Sequence, residues 1–257
     1  LCINSSLFIQ DKLDKLEELM GFPVLNLSTQ PFILQRCFKK NEKHETDERN
    51  ETTWLTLAYI KSRSIKPDKQ YINGNAQKAA EEISKSAHLG GITENDIQLV
   101  LNKYGIAYSV IPKLEKTPID AASLQMSGYP SIITTHRYND MSRLIFNILH
   151  ELGHIQKHMS FENGNQCSVF VSSENDYSRD NKEEREANEF AEDMLIPKET
   201  WKKMMSTSTK NLSNQYILRT LKQLSSEYSL DFNIVAWRYK YESSRYSLYG
   251  IKSQPIL

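Results

Sequence analysis

His150-Glu151-Leu152-Gly153-His154 reads as an HExxH pentapeptide. Two histidines spaced i and i+4 stand one above the other on a helix face and can hold one metal ion. The glutamate beside them can take a proton from metal-bound water. The surrounding stripe Met141, Leu144, Ile145, Ile148, Leu152, Ile155 occupies one side of a helix that Asn139 or Asp140 can cap and that reaches about Met159. At about 100° per residue, His150 and His154 point away from that stripe, so they do not read as core histidines. The bland alternative is a solvated polar face.

A catalytic zinc site needs a third protein ligand and an open position for water. Cys167 is the only cysteine nearby in sequence and falls in a loop, which makes it a poor donor. The better source is the run Glu183-Glu184-Arg185-Glu186-Ala187-Asn188-Glu189, on a helix expected from about Lys182 to Leu195 and stopped by Ile196-Pro197. Its inward stripe is Ala187, Phe190, Ala191, Met194 and Leu195. Glu183 and Glu184 flank that stripe, Glu186 sits at its margin, and Glu189 and Glu192 face away. Periodicity leaves Glu183 and Glu184 tied, and five glutamates decorating a solvated N-terminal turn would look much the same. His158 extends the histidine spacing, but a third ligand further along one straight helix is badly placed for tetrahedral closure. It is expected to pack under the site or hydrogen-bond a ligand. His44 and His88 have no partner in sequence.

The elements that must position these residues begin near Thr93, which can cap a helix carrying Ile97, Val100, Leu101 and Tyr104 and closed by Gly105. Three β-like runs follow, Ile106–Ile111, Ala121–Met126 and Ser131–Thr135, separated by tight turns as in a small antiparallel sheet. Residues 172–186 read as a polar loop, and 213–228 and 232–242 as two terminal helices. Upstream, a boundary near residue 92 sets off a helical segment, 1–92, from a second unit, 93–257. The first unit shows helical spacing through Leu13–Met20, after Pro31, around Trp54, Leu57, Ala58 and Ile60, and over 75–88. A polar linker runs from Lys39 to Asn50.

Composition closes off other classes. The 257 residues carry 32 basic and 32 acidic side chains, which excludes a whole-chain polycation for nucleic acid or anionic lipid. The basic and aromatic residues of the last helices (Lys222, Arg238, Lys240, Arg245 among Tyr239, Tyr241 and Tyr246) read as a capping surface on the core rather than a DNA-binding one. No apolar run approaches the ~18 residues of a membrane span. The start, LCINSSLFIQ, is no signal peptide and has no methionine, so a fragment of a longer chain is expected. Three scattered cysteines (Cys2, Cys37, Cys167) build no disulfide framework, which favours a reducing cytosol.

The strings LIFNILHELGHIQKH and EEREANEFAEDMLIP resemble the ImmA/IrrE metallopeptidase family, compact relatives of the thermolysin-like zincins. KTPIDAASLQMSGYPSIITTHRYNDMSRLIF resembles the strand-rich lead-in of its longer members, and IVAWRY (234–239) their terminal helix. The likeness is specific over 106–200. It implies an α+β fold, a helical N-terminal segment followed by a gluzincin-type domain with a small antiparallel sheet and an HExxH helix. It implies His150, His154 and Glu184 as metal ligands, Glu151 as general base, and Asn188, four residues after Glu184, as the group orienting a ligating histidine. Arg137 and Tyr138 are the residues it offers for positioning substrate, although His136-Arg137-Tyr138 departs from the usual lead-in. Longer members often carry an N-terminal helix-turn-helix and are described as HigA-type antitoxins or regulators. That domain is expected to be missing here.

The expected activity is zinc-dependent hydrolysis of a peptide bond in a protein substrate, with manganese or iron as other metals that two histidines and a carboxylate accept. Ser131–Thr135, the strand before the HExxH helix, is the expected edge for an extended substrate. The alternative is an antitoxin or transcription regulator that uses the same fold to sense or to bind a cognate toxin, with little turnover. DNA would be reached only through the missing N-terminal domain.

Overall fold

The computed structural model describes residues 47–125, 128–161, 168–173, 181–206 and 213–243, together with Asp14, Glu18, Arg245, Leu248 and 254–256. Apart from Asp14 and Glu18, the helices expected through Leu13–Met20 and after Pro31 lie outside these residues, as do Cys2, Cys37, Cys167 and His44. Among the described residues, eight helices accompany one four-stranded sheet: α1 (Glu48–Ser64), α2 (Asn75–Leu89), α3 (Glu94–Lys103), β1 (Ala107–Val110), β2 (Ile119–Gln125), β3 (Pro130–Thr134), α4 (Met141–His158), β4 (Ser168–Ser173), α5 (Lys182–Leu195), α6 (Lys198–Met204), α7 (Asn214–Glu227) and α8 (Phe232–Ser243). The result is a mixed α+β architecture.

The sheet runs β1-β3-β2-β4. β2 pairs antiparallel with both β3 and β4, whereas β1 lies parallel to β3. An all-antiparallel sheet was expected, so this is a correction, and its cause is a connection length. The short link from Gln125 to Pro130 folds β2 and β3 into a hairpin, while residues 111–118 are long enough to carry the chain past the ~4.8 Å width of β3 before β2 begins. β3 is therefore interior and has no free edge for a substrate. The edges are β1 and β4, and β4 covers residues whose last part read as loop.

Each face of the sheet has its own cover, which is why β2 and β3 are buried along their whole lengths. On one side α1 sets Trp54, Leu55 and Ala58 against Ile133, Ala122, Leu124 and Val169. Its start at Glu48, capped by Asp47, lies inside the stretch read as polar linker. On the other side α4 runs beneath the sheet and is sheathed by α2, α5 and α8: Ala79, Ala80 and Ile83, Phe190 and Ala191, and Val235 and Ala236 all share its core. α2, on the N-terminal side of the boundary drawn near residue 92, is thus part of the packing around α4.

Local signals place several of these elements. Thr93 and Asp96 close a capping box on α3. At its other end Gly105 adopts φ +76°, and a Cβ there would lie 2.5 Å from Tyr71 N, so both the turn and the close approach require glycine. His88, unpartnered in the sequence, donates from Nε2 to the Leu195 carbonyl at 2.6 Å and accepts the Asp231 N–H at Nδ1, tying α2 to the end of α5 and the start of α8. The last helices pack as a cap on the core. Arg238 is buried on Trp201 and donates to the carbonyls of Glu192 and Ile196. Glu192, expected to face away, lies half-buried beside that guanidinium. No described helix is long and apolar enough to cross a membrane.

Candidate metal centre

Asp140 caps α4 by accepting from Ser142 N and Arg143 N, and the helix then runs 18 residues without interruption. That rigidity stacks His150 one turn below His154. Their side of α4 is not a solvated face. His150 is 4% exposed and Glu151 and His154 0%, because the sheet and α5 close over the side opposite the apolar stripe. α5, capped by Asn181, crosses α4 so that its first turn delivers Glu184, 8% exposed, to the histidines, while Glu183 points to solvent.

The candidate ligand atoms, two imidazole nitrogens and both oxygens of one carboxylate, form a tight cluster. His150 Nε2 lies 3.0 Å from His154 Nε2, Glu184 Oε2 3.2 Å from His150 Nε2, and Glu184 Oε1 3.3 Å from His154 Nε2. A tetrahedral ion with bonds of 2.0–2.1 Å sets neighbouring ligands about 3.3 Å apart, so the donor set fits a zinc-sized ion. His150, His154 and Glu184 also form a buried group able to share one ion.

Two further observations agree. Glu184 Oε2 is buried and, apart from the approach of His150 Nε2 at 3.2 Å, has no partner among the described residues. The outer nitrogens of both rings are already engaged: His150 Nδ1 donates to Asn188 Oδ1 at 2.9 Å, and His154 Nδ1 lies 3.0 Å from His158 Nδ1. A proton held at Nδ1 leaves Nε2 as a bare lone pair, the tautomer a metal needs.

Electrostatics in the metal-free site follow the same geometry. Burial alone would push the Glu184 carboxyl up, but the imidazoles of His150 and His154 beside it hold it down at about 2. Burial lowers His154 to about 4, with the neighbouring imidazoles adding to the effect against Glu184. At His150 burial also works against the charged form, yet the hydrogen bond to Glu184 and the charges of Glu151 and Glu184 raise its pKa above the usual value. One anionic carboxylate and one proton-hungry imidazole thus face each other where a cation would sit.

Glu151 occupies a drier place. Burial raises its carboxyl to about 7, against the opposing pull of His150 and of hydroxyls from Ser172 and Ser123. Ser172 Oγ donates to Glu151 Oε1 at 2.6 Å, while Oε2 has no hydrogen bond among the described residues. On β4, Phe170 alternates with Ser172 on the face toward α4 and stacks on the His154 ring, centroids 4.5 Å apart and planes 15° from parallel. Sequence reasoning missed Ser123, Phe170 and Ser172. The Val169-Phe170-Val171 run was the available signal for a strand there, with Phe170 and Ser172 sharing one face.

Of the remaining candidates, Asn188 meets His150 as described, and His158 contacts His154 from the far side of its ring, so it cannot reach the ion that Nε2 faces. Arg137 and Tyr138 lie before the start of α4. Arg137 donates to the Pro118 carbonyl at 3.1 Å and approaches Asp120, and Arg143 lies over the Tyr138 ring. Ten residues of helix, about 15 Å along the axis, separate Asp140 from His150. The structure does not bring this pair to the metal centre.

A comparison with protein families finds the model described as the IrrE N-terminal-like domain, Peptidase_M78, over residues 110–240. That span runs from the end of β1 into α8 and includes every residue of the buried cluster. No curated protein matches the chain. With just over half of its length matched, this chain belongs to the Peptidase_M78 (IrrE N-terminal-like domain) family.

Proposed function

We propose that the protein is a metal-dependent peptidase in which His150, His154 and Glu184 hold a divalent ion, zinc in preference to manganese or iron, and Glu151 is the general base. The observation that carries this reading is the cluster of His150 Nε2, His154 Nε2 and the Glu184 carboxylate, whose facing atoms lie 3.0–3.3 Å apart. A bound zinc ion supplies Lewis acidity for a peptide carbonyl and a water acidified to about pKa 7. Glu151, with its carboxyl raised to about 7, is suited to take a proton and return it to a leaving amine near neutral pH. Asn188 orients His150 through its amide oxygen. Among the described residues β4 is an edge strand of the sheet, and beside the site it replaces β3 as the place where an extended peptide can pair.

One observation favours a second reading, a regulator or antitoxin that binds a protein partner and turns over little. Glu151 is wholly buried and engaged by Ser172, a sequestered base rather than one facing an open cleft. The test is zinc-loaded protein incubated with a peptide mixture prepared from a cell lysate, cleavage being read by mass spectrometry. Hydrolysis by the wild type that falls by about 100 to 10,000-fold in Glu151→Gln, with zinc still bound, supports the peptidase. Zinc binding with no cleavage above the Glu151→Gln background leaves the binding module. Failure to bind zinc overturns the peptidase.

A further inference from the structure

Behind the metal-facing cluster lies a chain of hydrogen bonds that the ligand set alone does not require. His158 Nδ1 lies 3.0 Å from His154 Nδ1, and His158 Nε2 lies 3.0 Å from Glu186 Oε2. Two ring nitrogens can share a hydrogen bond only if one donates and the other accepts. The Glu186 carboxylate accepts, so it draws the His158 proton to Nε2. In the neutral His158 ring Nδ1 is then a lone pair, and the His154 proton sits on Nδ1 to meet it. His154 Nε2 is left bare toward Glu184 and His150. Phe170 lies against both rings, with centroids 4.5 Å from His154 and 5.6 Å from His158, and holds them in line.

We infer that Glu186 and His158 are positioning residues that act in series to fix the orientation and tautomer of His154 for metal binding. The inference rests on the metal centre proposed above and adds a second support beside Asn188, which serves His150. It gives His158 a role that excludes ligation of the same ion, since its near nitrogen faces the wrong side of His154. Glu186, marginal on the helical wheel, becomes the outer anchor. Lys182 Nζ, 3.7 Å from its other oxygen, stands beside it at the surface.

The test measures zinc affinity by competition with a chromophoric chelator, and the visible absorption of the cobalt-loaded protein, for the wild type and three variants. His158→Phe keeps the ring against Phe170 but removes both nitrogens. It should weaken zinc binding by about 10 to 100-fold and alter the cobalt spectrum. His158→Asn places an amide oxygen near the lost Nδ1 and should restore most of that affinity. Glu186→Ala should fall between the wild type and His158→Phe. Thermal melting of the metal-free proteins shows whether each variant folds, and Glu186→Ala, at a partly exposed position, carries the test if His158→Phe does not. Wild-type affinity in His158→Phe or in Glu186→Ala overturns the inference while leaving the metal centre standing. So does His158→Asn binding as weakly as His158→Phe, which would show that an acceptor at that position does not support His154. A wild type that binds no zinc overturns the metal centre itself.

Discussion

Gly153 and Ala187 meet where α4 crosses α5: a Cβ on Gly153 would lie 3.0 Å from Ala187 Cα and 3.2 Å from its carbonyl oxygen. The crossing sets how far Glu184, three residues before Ala187, stands from the two histidines. Glycine in a helix interior costs about 1 kcal/mol relative to alanine, so its use here points to the contact.

Gly153→Ala should therefore fail to gain that propensity. The neighbour it meets is backbone, which cannot rotate away, and overpacking of this kind costs about 1–3 kcal/mol. The expected outcome is a lower melting temperature together with weaker zinc binding, because α5 is pushed off with Glu184 on it. A variant that melts higher and binds zinc as before would show that the helices have slack at the crossing.

Glu184→Ala and Glu183→Ala separate two neighbours that the helical wheel leaves tied. Glu184 is buried against both imidazoles, whereas Glu183 is exposed in the first turn of α5. Chelator competition should show zinc affinity falling by more than about 100-fold in Glu184→Ala, a loss beyond that of outer-shell partners. Glu183→Ala should cost at most about 1 kcal/mol of stability through the helix dipole, with zinc binding intact. The reverse ranking would remove Glu184 from the metal centre.

Much of this arrangement is legible in the sequence, for reasons that also mark the limits. Asp140, Thr93 and the Met141-to-Ile155 stripe place α4 and α3 because caps and periodicity act within a few residues. The burial of His150 and His154 was not legible, since the cover over them comes from β4 and α5, distant in sequence. β4 was missed because its apolar run, Val169-Phe170-Val171, is only three residues long and its last two positions, Ser172 and Ser173, belong to the polar stretch read as loop. The β1–β3 pairing was misjudged because strand order depends on how a connection crosses the sheet, and local pattern carries no such information. The wheel could not choose between Glu183 and Glu184. The crossing at Gly153 and Ala187 decides it, by turning one side of α5 toward the histidines.

Glu151 makes the stability of the metal-free protein depend on pH. Its carboxyl titrates at about 7 when folded, against an ordinary value of 4.5. A raised pKa means the folded state holds the proton more tightly. The contribution is fully present below pH 4.5 and is lost as pH rises through 7. The difference corresponds to about 3 kcal/mol. Glu151→Gln carries an uncharged isostere at every pH, so the metal-free variant should melt above the wild type at pH 8 and converge with it below about pH 4.5. Parallel melting curves across that range would place the carboxylate in a better-solvated setting than its burial implies.

Ser172 supplies the hydroxyl that holds Glu151, and its removal should be felt through that residue. Ser172→Ala leaves neither carboxyl oxygen with a hydrogen bond from β4, and an unsatisfied buried acceptor costs about 1–3 kcal/mol. Zinc affinity should hardly change, because Ser172 touches none of the three ligands' donor atoms in the described contacts. The Ser172→Ala penalty also includes loss of a small side chain at a half-buried edge position, so the single variant cannot isolate the pair. A double-mutant cycle with Glu151→Ala does. In that background the serine has no carboxyl to serve, and its replacement should cost little, giving a coupling of about 0.5–3 kcal/mol in denaturant unfolding. Additive losses would mean that Ser172 supports β4 itself, and that burial and the α4 backbone alone fix the position of Glu151.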